Sequence, residues 1–110
     1  MKIINLTKKS LISDHCKVAR TFLDRALGLL NKANPRALIF QTRWGIHTFF
    51  LKQPIDIILL GTSSQVVNMA IDLSPNRFFL YPPRFKIVIE LPQGSISSSK
   101  TSIGDKIFIE

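Results

Sequence analysis

Cysteine occurs once in this 110-residue chain, at Cys16, and tyrosine and tryptophan also occur once each. A lone thiol has no intrachain partner, which excludes a disulfide-stapled scaffold. The five glycines are scattered and form neither a G-x-G-x-x-G fingerprint nor a phosphate-cradling P-loop. His15, Cys16 and His47 do not have zinc-ligand spacing, so neither a metal nor a cofactor is expected. Apolar runs such as residues 57–60 are far shorter than the ~20 residues of a membrane helix, so no membrane span is expected. Asn5, Thr7, Lys8 and Lys9 interrupt any apolar signal core behind Lys2. A cytoplasmic protein is therefore expected. Acidic groups are also scarce, seven against fifteen Lys and Arg, for a net charge of +8.

What is present suits a globular core. Apolar residues make up 45% of the chain, and eight of them are phenylalanine. The length matches one domain, taken as residues 1–110. The charge is lopsided: residues 1–55 hold ten basic and two acidic groups, residues 56–110 five of each. A one-sided basic domain attracts nucleic acid or anionic surfaces. Against that, no basic run exceeds two residues and no clustered basic helix appears, which favours a basic proteome or a solvated surface.

The apolar spacing predicts a mainly β chain. Short strands are expected at 2–6 and 16–19. Thr21 and Asp24 then resemble a capping box, followed by Phe22, Leu23, Ala26, Leu27, Leu29 and Leu30 at helical spacing. One short helix is predicted near residues 22–31, stopped by Asn31, Asn34 and Pro35. Strands follow at 37–41, 46–51, 55–60, 65–73, 78–81, 85–91 and 107–109. The strands 46–51 and 55–60 are expected to form a hairpin around Lys52, Gln53 and Pro54. Phe85, Ile87, Ile89 and Leu91 alternate with Lys86, Val88 and Glu90. The serine-rich stretch 95–102 reads as a flexible or one-turn helical connector. Strands at this spacing predict a compact antiparallel sandwich or barrel.

Several segments resemble one family in order and spacing. They are Arg25-Ala26-Leu27-Gly28-Leu29, then Ala37-Leu38-Ile39-Phe40, then the run from His47 to Asp56. Val88-Ile89-Glu90-Leu91-Pro92 with Gly94, and Gly104-Asp105, complete the set. Together they resemble the domain-of-unknown-function family numbered 192 over about residues 18–109. The resemblance implies a small, mainly β sandwich or barrel and no activity that can be named. The family usually has Met at Leu51, Gly at Ala37 and an acid at Gly61.

His47, Lys52 and Asp56 are the candidate catalytic residues. In the expected hairpin His47 and Asp56 are diagonal neighbours at best, close enough for an acid–base pair. The structural alternative is a packed His47 and an Asp56 that accepts hydrogen bonds from turn amides. A Cys16–His47 nucleophilic pair is a weaker candidate than Cys16 as a small core residue. Trp44, His47, Thr48, Phe50, Lys52 and Asp56 are the candidate ligand-binding residues. Trp44, Phe49, Phe50 and Tyr81, with Arg43, Lys52 and Arg84, form a possible aromatic platform for bases or sugars. Arg25, Gly28, Pro54, Glu90, Gly104 and Asp105 read as structural, with a helix packed closely by its glycine and two turns; the functional alternative is an Arg25 ion pair with Glu90 or Asp56 that orders the site. The leading expectation is a non-enzymatic binding or accessory domain for a small molecule or a protein. Two alternatives stand beside it: a hydrolase or isomerase using His47, Asp56 and Lys52, and a nucleic-acid binder through the basic first half.

Overall fold

The computed structural model describes residues 1–19, 37–49, 51–85 and 87–110. The helix expected at 22–31 lies outside them, and so do Arg25, Gly28 and Phe50.

The chain is mainly β. Its strands are β1 (Ile3–Asn5), β2 (Ser10–Ser13), β3 (Cys16–Val18), β4 (Ala37–Gln41), β5 (Gly45–His47), β6 (Ile55–Leu60), β7 (Val66–Leu73), β8 (Phe78–Leu80), β9 (Ile87–Pro92) and β10 (Ile107–Ile109), with a short helix α1 (Ser95–Ser99) before β10. β3-β4-β9-β6-β7 form a five-stranded sheet, β10-β1-β2 a three-stranded sheet, and β5-β8 a two-stranded ribbon. Among the described residues no helix is long and apolar enough to cross a membrane.

The five-stranded sheet is covered on both faces. All of β6 is buried, from Ile55 to Leu60, because a strand with layers above and below it needs apolar residues on both sides. Ala37, Ile39, Ile58, Leu60, Ile89 and Leu91 face one core, which Ile3, Ile12 and Ile107 of the three-stranded sheet and Ile96 of α1 complete. Leu38, Phe40, Ile57, Leu59 and Val88 face the other, against Ile46, Phe79 and Tyr81 of the ribbon and the residue beyond it. The arrangement is layered like a sandwich and not closed into a barrel.

Three expectations change. The hairpin of 46–51 with 55–60 does not form. β5 pairs with β8, and β6 pairs with β7 and β9. Both edges of β6 are thus taken, leaving no free ladder for β5. The sheet is not wholly antiparallel: β3 runs parallel to β4. Parallel neighbours need a crossover of a dozen or more residues, and the chain between Val18 and Ala37 is long enough for one. The third change is β2, a short strand that the sequence pattern did not reveal.

Candidate functional site

Asp56 is fully buried on the second position of β6. The β6–β7 register runs Ile55↔Leu73 and Ile57↔Ala70, with a break between. Ile71 and Asp72 therefore oppose Asp56 alone, which is a β-bulge. Asp72 sits in the left-handed region, at φ 55°, and a bulged strand leaves an amide outside the ladder. Asp56 Oδ1 accepts that Asp72 N–H at 3.0 Å. Its Oδ2 accepts the Ile96 N–H at 2.9 Å, in the first turn of α1. The N-cap of α1 is Gly94, which has no side chain to cap with. A carboxylate from the sheet thus does the work of the missing cap.

His47 is remote from this arrangement. It lies opposite Phe78 in the ribbon, over the second core, whereas Asp56 alternates with Ile55 and Ile57 and points to the first. The two do not form an acid–base pair. His47 Nδ1 instead accepts the Phe49 N–H at 3.3 Å. Thr48 is fully buried and fixes the turn before β8: its Oγ1 donates to the Ser74 carbonyl at 2.7 Å and accepts the Arg77 N–H at 2.9 Å. Lys52 is exposed and Pro54 half-buried, in the segment leading into β6. Cys16 packs against the first core, across the sheet from His47. Burial pushes its thiol up to about 11, although the chain's N-terminal charge pulls the other way. That thiol is not a ready nucleophile, and no Cys16–His47 pair exists.

The ribbon's outward face is the part of the region open to a partner. Its inner residues, Ile46 and Phe79, are buried, while Phe78 is 63% exposed, Leu80 70% and the neighbouring Trp44 68%. The His47 and Phe49 rings lie 4.8 Å apart, and Phe49 meets Phe78 edge-on at 5.1 Å. Arg43 and Arg77, beside Trp44 and Phe78, are exposed too. Phe78, Leu80 and Arg77 do not stand out in the sequence; the pairing of Phe78 with His47 and of Leu80 with Gly45, and the bond of Arg77 to Thr48, mark them.

Gly45 makes the ribbon possible. A Cβ there would lie 2.6 Å from the Phe79 carbonyl oxygen and 2.8 Å from Leu80 Cδ2, at φ 150°. Gly45→Ala is expected to cost about 2 kcal/mol of stability, measured by urea unfolding.

The other buried carboxylates are also built into the fold. Glu90 is fully buried in β9 between Leu38 and Ile57. Gly104, at φ 95°, lies in the turn before Asp105. Asp105 Oδ2 receives the Asn5 amide at 2.9 Å, the Lys8 ammonium at 2.8 Å and the Ser102 N–H at 2.9 Å. Burial works to raise its pKa, but those bonds and the Lys8 charge hold it below the usual carboxylate value of 3.8. Among the described residues no group of three or more His, Cys, Asp or Glu is placed to hold a metal ion. An apolar cleft of about 540 Å³ between β3, β4 and β9 is lined, among the described residues, by apolar side chains such as Val18, Ile39, Phe40 and Ile87, with Gln41 as the polar one.

Residues 3–109 match the family described as Uncharacterized ACR, domain-of-unknown-function family 192. The chain belongs to this uncharacterised family. The match reaches further toward the N-terminus than the sequence motifs did. A Pyrococcus horikoshii UPF0127 protein is 36% identical over 111 residues, covering 96% of both chains. A Thermococcus sibiricus UPF0127 protein is 38% identical, covering 96% of this chain and 72% of its own. In fold, the chain is similar to a crystal structure of a Novosphingobium aromaticivorans protein of unknown function. That likeness has a TM-score of 0.74 at 19% identity and covers 98% of this chain and 82% of the other. Gly61, just after β6, is buried, and a Cβ there would lie 2.9 Å from Val67 Cγ1.

Proposed function

We propose that this chain is a non-enzymatic binding domain whose working surface is the outward face of the β5–β8 ribbon. One observation carries the reading: Trp44, Phe78 and Leu80 are mostly exposed on and beside a ribbon anchored from behind. An apolar surface held open at a cost in hydration usually meets a partner. The residues that would do acid–base chemistry support the same reading. Asp56 holds two backbone amides, and His47 lies across the sheet from it.

The test uses the amphipathic anionic dye 1-anilinonaphthalene-8-sulfonate, at a salt concentration that screens its sulfonate, and the only tryptophan, Trp44. Folded protein is expected to bind the dye with energy transfer from Trp44. The Phe78→Ser/Leu80→Ser variant is expected to bind it about tenfold more weakly. Equal binding by that variant would remove the ribbon as the surface. Turnover of a substrate that His47→Ala abolishes would remove the non-enzymatic reading.

A further inference from the structure

We propose that the ribbon's partner is a single strand of nucleic acid, with bases stacked on its aromatic rings and phosphates held by the flanking arginines. This rests on the ribbon being the binding surface and adds the chemistry of the ligand. The first support is the ring ladder. His47, Phe49 and Phe78 lie in series at 4.8 and 5.1 Å, and Trp44 stands more exposed at the start of β5. Stacking on aromatic faces tolerates any base, and it needs bases that are not already paired.

The second support is charge. Arg43 precedes Trp44 and Arg77 precedes Phe78 in the chain, and both arginines are exposed, one at each strand of the ribbon. The exposed carboxylates among the described residues are Asp14, Asp72 and Glu110, and none lies within residues 43–49 or 76–81. The carboxylates of Asp56, Glu90 and Asp105 are buried and do not reach the surface. Within these two segments the charged side chains are Arg43 and Arg77, a sign that suits a polyanion. Arginine also stacks on rings here: the Arg84 guanidinium lies 4.6 Å over the Phe85 ring, just after Tyr81 and the two prolines. An anionic membrane would meet the same arginines. The ladder, however, has an imidazole within it and rings packed against each other, rather than separate apolar wedges for acyl chains.

Anisotropy of a labelled oligothymidylate of about 12 nucleotides, titrated with the full chain at stepped salt, tests the proposal. Saturable binding with quenching of Trp44 is expected. Phe78→Ala should weaken it roughly tenfold, and Arg77→Gln should lower the log–log salt slope by about 1. Circular dichroism checks that both variants fold; Trp44→Ala replaces Phe78→Ala if that one does not. Absence of binding at low salt overturns the inference. In that case continued dye binding at the ribbon leaves the binding surface standing, and loss of dye binding removes both. Binding that neither variant changes also overturns it. So do phosphatidylserine vesicles that quench Trp44 while the oligonucleotide does not, and a dimer in sedimentation that shields Trp44 from acrylamide.

Discussion

Asp56→Ala is expected to lower the unfolding free energy by about 3–5 kcal/mol, because two amides lose a charged acceptor together. The Asp72 and Ile96 N–H groups bond separate oxygens of the carboxylate, at 3.0 and 2.9 Å. The Ile96 bond is buried, so water cannot simply replace the lost partner. Domains of this size typically hold ~5–15 kcal/mol in all, so the loss would be a large fraction. Asp56→Asn should fare little better. Its oxygen can accept one amide, but its NH₂ then faces the other donor. Urea unfolding gives the magnitude. Hydrogen exchange gives the location: the Asp72 and Ile96 amides should lose protection before the centre of β6 does. A cost under about 1 kcal/mol for Asp56→Ala would contradict the anchoring role. Binding at the ribbon, across the sheet, should survive the substitution in whatever fraction stays folded.

Asp56 also marks how far the sequence could be read. A carboxylate inside Ile-Asp-Ile-Ile-Leu-Leu was visibly out of place, and the alternative of an acceptor for backbone amides was visible with it. Its partners were not, since they lie 16 and 40 residues away. The strands at 37–41, 55–60, 65–73 and 107–109 were legible because apolar patterning and turn residues act locally. Which strand pairs with which is a contest between distant segments. The 46–51 run looked like the neighbour of β6, yet β7 and β9 occupy both of its edges. Thr48 then bonds to Ser74 and Arg77, drawing its segment to β8. The ribbon's outward face inherits that hidden pairing. Trp44 and His47 could be picked out in sequence, but Phe78 and Leu80 read as ordinary strand residues until β8 was seen to lie beside Gly45 and His47.

Asp105 should respond to substitution in the opposite way from Asp56. Asn5, Lys8 and Ser102 all converge on one oxygen, Oδ2. An asparagine that places its oxygen there keeps all three bonds and loses only the charge. Asp105→Ala takes from the fully buried Asn5 Nδ2 one of its two acceptors, leaving the Thr101 hydroxyl at 3.0 Å, and is expected to cost about 3 kcal/mol. Asp105→Asn should cost about 1 kcal/mol, the smaller value expected for a partly exposed ion pair. Acid separates the two effects. The folded carboxyl titrates below its unfolded value of 3.8, so the folded state favours the ionised form. Its stabilisation is fully present above that value and is lost as pH falls through the lower folded value. The gap between the native chain and Asp105→Asn should therefore be widest near neutrality and close as pH falls through the folded value, while the gap to Asp105→Ala should only narrow. Chemical unfolding of the three proteins across that range is the measurement. A gap to Asp105→Asn that stays constant with pH would mean that Lys8 contributes nothing through charge, and that the cluster is held by hydrogen-bond geometry alone.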